Sequence, residues 1–569
     1  MNYLERITDK ERQLSALIKR MDEDVLLYYL SPYKMMDDTG KKRISGSVSV
    51  TLNRTGVLAW NVIAGMGRAS EQVIVESEGK RVDTHYVEDF VKAAFASANA
   101  QRVARGGWPL NPYADEQVCI RGGCARKVLF QDNEKGIFTP EITPWDIRYV
   151  TYEVGGEGLE WAAYKTLRSK ELVEAEYANI PKLGGGTRGI RVSSKEAEVI
   201  DVWDREHNEV WIDKKLEFEQ PHSFGFCPVV IEKVTLGSML ADRNSLSHGG
   251  ESIFFLIRGI APELNRLASI MQTLNLLSVK GPQQYSPGGG APGETPEYDE
   301  ALSPGAMTNV GTGGRIGPID FGDAQASAQI AYAQLEKAAE QGSLSSFDLG
   351  TFTQQMSAVA LVQIGEGRDQ VFAPRLDTKA RHNVATANMA IEQAIQTGHG
   401  VELGTRGHKR LFDIGKLEGE YEISYKYFPK SPTEDIARFI MADHASRWLS
   451  DEDIAKDILR REDPAGDRRR KLVDKASLLS PTVMRYEVIQ ALLDMAEAGD
   501  EDAEKKAKIM TAEIGMTIGQ VMQGGIPQAE TRPESMLPLL APGGKSSAKK
   551  ASELQGLPRP EIRPEVGGE

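Results

Sequence analysis

The side chains best suited to chemistry are few and badly spaced for it. Cys119 and Cys124 are separated by four residues, and no His or Cys pair follows at the spacing a zinc site needs. The eight histidines (His85, His207, His222, His248, His382, His399, His408 and His444) are scattered, with no His-Glu-x-x-His run and no calcium-type acidic loop. No Gly-x-Ser-x-Gly elbow is present. Gly311–Gly317 (GTGGRIG) has the glycine content of a phosphate-cradling loop. However, it lacks the Lys-Ser/Thr that follows such a loop and does not open directly into a helix. It reads as a structural loop. Arg468-Arg469-Arg470-Lys471 offers phosphate contacts, but Asp457, Glu462, Asp463, Asp467 and Asp474 surround it, as on a solvated, ion-paired helix face. Lys549-Lys550 reads the same way. The expectation is no catalytic residues, no metal and no cofactor.

The bulk properties agree. The chain has 569 residues, 40% hydrophobic and 26% charged, enough for about three or four domains. A balance of 68 Lys+Arg against 82 Asp+Glu gives a net charge of -14, which excludes a generic nucleic-acid-coating polycation. Three cysteines exclude a disulfide framework. The first twenty residues are charged throughout, unlike a secretory signal, and no apolar run approaches the roughly 18 residues of a membrane span.

The pattern of elements is α+β. A helix over about 1–30 is followed by short strand-like runs (Ser47–Leu52, Arg81–Tyr86, Val128–Phe130) and a helix near Val87–Val103. Between about 140 and 235 the chain is mostly β, with strands at Ile147–Glu153, Trp161–Lys165, Ala197–Asp204, Val210–Ile212 and Val229–Val234 and a loop at Leu183–Gly189. Apolar residues then recur every three or four positions from Ile253 to Leu277, an amphipathic helix that Pro262 starts or kinks. Gly281–Gly322 holds eleven Gly and six Pro, which excludes a helix. A second helix follows over Ala324–Gln341, with Asp323 as N-cap and Gly342 as stop. Thr353–Gly398 is helical with an interruption at Ala373–Pro374, and Tyr421–Tyr427 is a strand. Helices start at Ser431-Pro432-Thr433-Glu434, Ser450-Asp451-Glu452-Asp453 and Ser480-Pro481. Beyond Gly524, seven of the 27 prolines fall in the last 43 residues, a disorder-prone composition.

This order of segments resembles the portal proteins of tailed bacteriophages. The strings that carry the resemblance are PWDIRYVTYEVGGEGLEWAAYKT (Pro144–Thr166), HSFGFCPVVIEKV (His222–Val234), SIFFLIRGIAPELNRLASIMQTL (Ser252–Leu274), GRIGPIDFGDAQASAQIAYAQLEKAAEQ (Gly314–Gln341) and SLSSFDLGTFTQQMSAVALVQ (Ser343–Gln363). The resemblance covers 250–500 well and 140–235 moderately. It implies a mixed α/β wing (1–249), a first stem helix (250–280), a Gly/Pro-rich clip (281–322) and a second stem helix (323–342). A tunnel loop and long wing helix (343–430), a helical crown (431–524) and a disordered tail (525–569) complete it.

The resemblance further implies a ring of about twelve copies at one capsid vertex, assembled in the host cytoplasm and retained in the virion. Double-stranded DNA would pass through its channel without sequence preference. Terminase large subunit, head-tail adaptor, major capsid protein and scaffold would be its partners, with the ATPase on a separate chain. In that frame Ser343, Ser345, Ser346, Thr351, Thr353, Gln354 and Gln355 lie nearest DNA, and Lys280 and Arg315 are the clip-side cations. Leu264, Leu267, Met271, Leu274, Ile330 and Leu335 pack the stem. A wall that is mixed or negative in charge lets a duplex slide, where a basic one would grip it. Two rival readings remain: a phage structural or scaffold protein without a channel, and a nucleotide-binding enzyme using Gly311–Gly317.

Overall fold

The computed structural model describes residues 2–286 apart from 38, 78–81, 133–137, 179, 182–186, 241, 243 and 281–282. It also describes 315–318, 324–343, 358–428, 441–442, 445–450, 453–459, 471, 488–489 and 508–511. Two compact units divide at residue 467. The second contributes only the helical residues 471, 488–489 and 508–511 to the described set. Most of the expected crown, all of the expected tail and most of the expected clip lie outside the described residues.

The first unit opens with α1 (Tyr3–Gln13), α2 (Ser15–Tyr28), α3 (Arg54–Arg68), β1 (Ser70–Glu76), α4 (Thr84–Ala104) and α5 (Leu110–Ile120). Next come β2 (Gly123–Asp132), β3 (Phe138–Trp145), β4 (Val150–Gly155), β5 (Gly158–Ser169) and α6 (Lys170–Glu176). The short strands β6 (Ile180–Pro181) and β7 (Thr187–Arg188) lead into β8 (Glu196–Trp203), β9 (His207–Ile212), β10 (Lys215–Pro221) and β11 (Val229–Lys233). An arm follows: α7 (Ile260–Lys280), β12 (Gln283–Ser286), β13 (Arg315–Pro318) and α8 (Ala324–Gln341). The unit continues with α9 (Ala358–Gln396), β14 (Val401–Thr405), β15 (His408–Phe412) and β16 (Glu422–Phe428).

The β region is an antiparallel five-stranded sheet, β10-β9-β8-β5-β4, beside a three-stranded sheet, β11-β2-β3. Chain-distant β1 and β16 pair antiparallel, Val73 opposite Tyr425. The strand composition explains the layering. Trp145, Val150, Ala162 and Trp203 turn inward to meet Leu17 and Met21 of α2, while Val87, Phe90, Phe130, Phe412 and Ala394 form a second core around α4 and α9.

A polar layer runs through this second core. Arg126 donates to Asn383 Oδ1 (2.5 Å), Asn383 Nδ2 to the Tyr427 hydroxyl (2.5 Å), and that hydroxyl to Glu71 (2.9 Å). Lys379 Nζ lies 2.7 Å from buried Asp115 and 4.9 Å from the Tyr427 ring centre. Burial, aided by the Arg126 charge, pushes the buried His382 imidazole well down, so it stays neutral. Such a layer fixes the register of α9 against β2 and β16, because a one-residue slip would orphan several buried groups at once.

Several expectations change, among them the start of the strand Ile147–Glu153, whose first three residues form a 3-10 turn. Of the expected strand Arg81–Tyr86, residues 82–86 are described and form no strand: Asp83 caps α4 by accepting the Tyr86 amide. The long helix is not interrupted at Pro374, since the buried anchors Phe372 and Leu376 flank the proline and hold the helix through it. The helix expected from Ile253 begins only at Ile260. Residues 253–259 form turns that bury Ile253, Phe254 and Ile257, and Pro262 falls in the first helical turn, where its missing N–H is harmless.

Gly122 (φ 76°) and Gly250 (φ 70°) cross in close contact. A Cβ on Gly122 would sit inside the Gly250 carbonyl oxygen. Gly122→Ala should therefore lose at least about 2 kcal/mol of stability, read from urea denaturation, as left-handed backbone strain adds to a clash with main chain.

Candidate functional site

Between residues 260 and 341 the chain leaves the core along α7 and β12 and returns along β13 and α8. The strands pair antiparallel, Gln283 opposite Pro318 and Ser286 opposite Arg315, so the two helices run antiparallel. The 21 residues of α7 give an arm helix of about 30 Å. At its root Leu264 and Ala339 are buried among Ile257, Val62, Met66 and Phe372. Farther along, Ala328 is buried, a small side chain that lets helices approach closely.

The expected stem residues divide along this arm. Leu264 is 2% exposed and belongs to the core. Leu267, Met271, Leu274 and Leu335 are half-buried, and Leu335 packs on the root cluster. Ile330 is 62% and Leu276 45% exposed, so each presents apolar surface to water in the single chain.

Of the expected DNA-facing residues, Ser343 follows the end of α8 and donates from its hydroxyl to the Ala339 carbonyl (2.6 Å). Ser345, Ser346, Thr351, Thr353, Gln354 and Gln355 lie outside the described residues. The backbones of Lys280 and Arg315 end α7 and begin β13, placing both on the outer half of the arm.

Two features of the arm root escaped the sequence reading. The first is an ionic cluster. Arg258 donates to Asp24 from Nε (2.7 Å) and Nη2 (3.0 Å), and to Glu251 from Nη2 (2.6 Å). Arg20 lies 3.5 Å from Glu251 and 3.9 Å from Asp24, and His248 Nδ1 is 2.8 Å from Glu251. Both carboxylates are fully buried. Burial raises the Asp24 carboxyl against the pull of Arg258, Ser252 and Arg20. Burial acts on Glu251 in the same sense, but Arg258, Arg20 and His248 outweigh it and hold that carboxyl below its ordinary value. The cluster ties α2 to the segment that launches the arm. Its only sequence signal is Arg258 inside an apolar run and the i, i+4 pair Arg20/Asp24.

The second is a ribbon. Residues 47–52 are extended as expected, yet they join no sheet. The amides of Val48, Val50 and Leu52 donate instead to Thr273 Oγ1 (3.0 Å), Ser269 Oγ (2.9 Å) and Asn265 Oδ1 (2.9 Å), which recur every fourth residue on one face of α7. The alternate side chains of the ribbon, Ser49 and Thr51, accept the amides of Met35 and Tyr33. Ser269→Ala would leave the Val50 amide without its partner. It should cost about 1–3 kcal/mol and speed hydrogen exchange at Val48, Val50 and Leu52 before any other amide.

Among the described residues no group of three His, Cys, Asp or Glu is arranged to hold a metal ion, and no helix is long and apolar enough to cross a membrane. Cys119 and Cys124 lie in the core, and burial pushes both thiols up to about 12. No protein-family model and no curated protein matches the sequence. Among solved structures, the neck of an empty GTA particle, computed with C6 symmetry, is similar over 73% of this chain and 95% of that one. The identity is 13% and the TM-score 0.35.

Proposed function

We propose that this chain is the portal protein of a tailed-phage-like particle. In this reading it forms a closed ring of about twelve subunits at one capsid vertex, and DNA is packaged and ejected through its channel. The observation that carries the reading is the two-helix arm. It leaves and re-enters the core at a single root and encloses the Gly/Pro-rich insertion, as stem and clip do in the resemblance drawn from the sequence. The arm also bears Leu276 and Ile330 exposed, side chains that a neighbouring arm would cover.

The electrostatics suit a conduit. A chain of net charge -14 is no polycation that would coat DNA, and a channel wall of mixed or negative charge would let a duplex slide. Terminase would supply the ATPase, and the outer half of the arm, with Lys280 and Arg315, would meet terminase and then the head-tail adaptor. Capsid protein and scaffold would contact the wing.

The test is the mass of the purified protein by light scattering, with negative-stain images of the same peak. Rings of about twelve subunits with a hole wide enough for a duplex are expected. A monomer or dimer at all salt and protein concentrations would overturn the reading.

A further inference from the structure

Between Asp24 and Arg54 the chain carries charge in one stretch only, Lys34–Arg43, with four cations (Lys34, Lys41, Lys42 and Arg43) against two carboxylates (Asp37 and Asp38). This stretch folds into a finger. Met36 and Arg43 form an antiparallel bridge, the Asp37 amide donates to the Lys42 carbonyl (2.8 Å), and the Ile44 amide donates to the Met35 carbonyl (3.2 Å). The Asp37 carboxylate is spent inside the turn, where its Oδ1 accepts the Thr39 hydroxyl (2.8 Å) and the amides of Lys41 (3.0 Å) and Lys42 (3.2 Å). Asp38 lies outside the described residues. The finger leads into the ribbon, whose Val48 amide is held by Thr273 of α7, so it is anchored beside the arm.

Lys34, Lys41, Lys42 and Arg43 are all exposed, and among the described residues no carboxylate pairs with any of them. Other exposed cations are matched: Lys409 lies 2.9 Å from Glu402 and Arg410 2.9 Å from Asp89. The tip, Thr39–Arg43, has no large apolar side chain of the kind a protein partner buries at the centre of an interface. What it presents is positive charge at three successive positions.

We infer that the finger is a contact for the phosphate backbone of duplex DNA, made by Lys41, Lys42 and Arg43 with Lys34 adding to their charge. A duplex carries one negative charge per ~1.7 Å of its length whatever its sequence, so successive cations without a shaped pocket suit it. The chain as a whole carries -14 while this stretch, with four cations and two carboxylates, is positive. The finger is thus a local reversal of sign. Three or four cations hold a backbone loosely and read no base, so a duplex can pass from phosphate to phosphate where a basic wall would stall it. The inference rests on the portal reading only for the presence of DNA, and binding is measured apart from ring closure.

The test is fluorescence anisotropy of a short labelled duplex titrated with the full-length protein at about 50–200 mM NaCl. Lys41→Gln/Lys42→Gln/Arg43→Gln should bind at least about tenfold more weakly at the lowest salt. Its plot of log affinity against log salt should flatten by about 2.7 for each finger engaged, three phosphates at about 0.9 each. Circular dichroism and the mass by light scattering should stay those of the wild type. Lys41→Arg/Lys42→Arg keeps the charge and should bind as the wild type does; loss of binding there would overturn the inference. Arg406→Gln/Lys409→Gln removes two exposed cations at the turn between β14 and β15 and should leave the affinity unchanged. A comparable loss from that variant would show an effect of net charge alone and overturn the contact. So would a wild-type protein that leaves the duplex free at the lowest salt. Wild-type affinity and slope from the triple variant would also overturn the contact, and rings in the same sample would leave the portal reading standing. Finger-dependent affinity in a protein that forms no ring would uphold the contact and overturn the ring. Displacement of the duplex by polyglutamate at equal charge concentration would assign the finger to an acidic protein and overturn the DNA contact.

Discussion

Arg258→Met should lower the free energy of unfolding by about 3–5 kcal/mol, the range for breaking a buried ion pair by removing one partner. Met keeps the length and removes the charge. It leaves Asp24 and Glu251, both fully buried, sharing Arg20 and the half-exposed His248. One carboxyl must then stay protonated in the native protein while it ionises on unfolding. Folding thereby becomes linked to proton uptake, and the variant should regain stability as the pH is lowered from about 8 toward 5. In the wild type Glu251 acts in the opposite sense. Its native value is lowered, so its contribution is complete above the ordinary glutamate range and is lost as acid carries the pH down through the native value. Urea denaturation at several pH values reads both slopes. Equal slopes for the two proteins would show that the cluster carries no such linkage.

Ile330→Asp should separate folding from assembly. Ile330 is 62% exposed, so the substitution should change subunit stability by no more than about 0.5 kcal/mol. In the proposed ring the same position would face a neighbour, where an unpaired buried carboxylate would cost several kcal/mol at every contact around the circle. The expected outcome is a folded monomer by light scattering, with wild-type thermal unfolding. Leu264→Asp, in the root core, should instead unfold the subunit. Rings of normal size from Ile330→Asp would show that the outer face of α8 packs against nothing.

Much of the fold is legible in the sequence where local chemistry decides it. Ala324–Gln341 matches α8 residue for residue, because alanines and Gln, Glu and Lys favour helix throughout and Gly342 stops it. Glu196–Trp203 falls within one residue of the expected strand Ala197–Asp204, and its Val/Ile-rich run buries neighbouring residues on both faces, Val199 with Ile200 and Val202 with Trp203. Ser450 accepts the Asp453 amide (3.1 Å), as its capping pattern suggested. What was not legible depends on partners far away in the chain. The strand-like Val48, Val50 and Leu52 find side chains of α7 more than 200 residues on instead of another strand. Pro374 is tolerated because Phe372 and Leu376 are held by a core that local propensity does not see. Arg258 looks like an interruption of an apolar run until Asp24 and Glu251 are folded around it. The arm itself was readable because two periodic helices flank a segment that cannot be helical.

The ribbon has a consequence for synthesis. The Val48 amide docks on Thr273, 225 residues later. At about 5–20 residues per second, a ribosome needs roughly 10–45 s to deliver that helix after the ribbon has been made. Through that interval the amides of Val48, Val50 and Leu52 have only water, and an extended segment with open donors invites pairing with a neighbouring nascent chain. On a polysome making many copies of one protein, neighbours of the same sequence are close at hand. Ser49 and Thr51, by holding the amides of Met35 and Tyr33 from within the same short stretch, can fold the ribbon back on itself long before α7 exists.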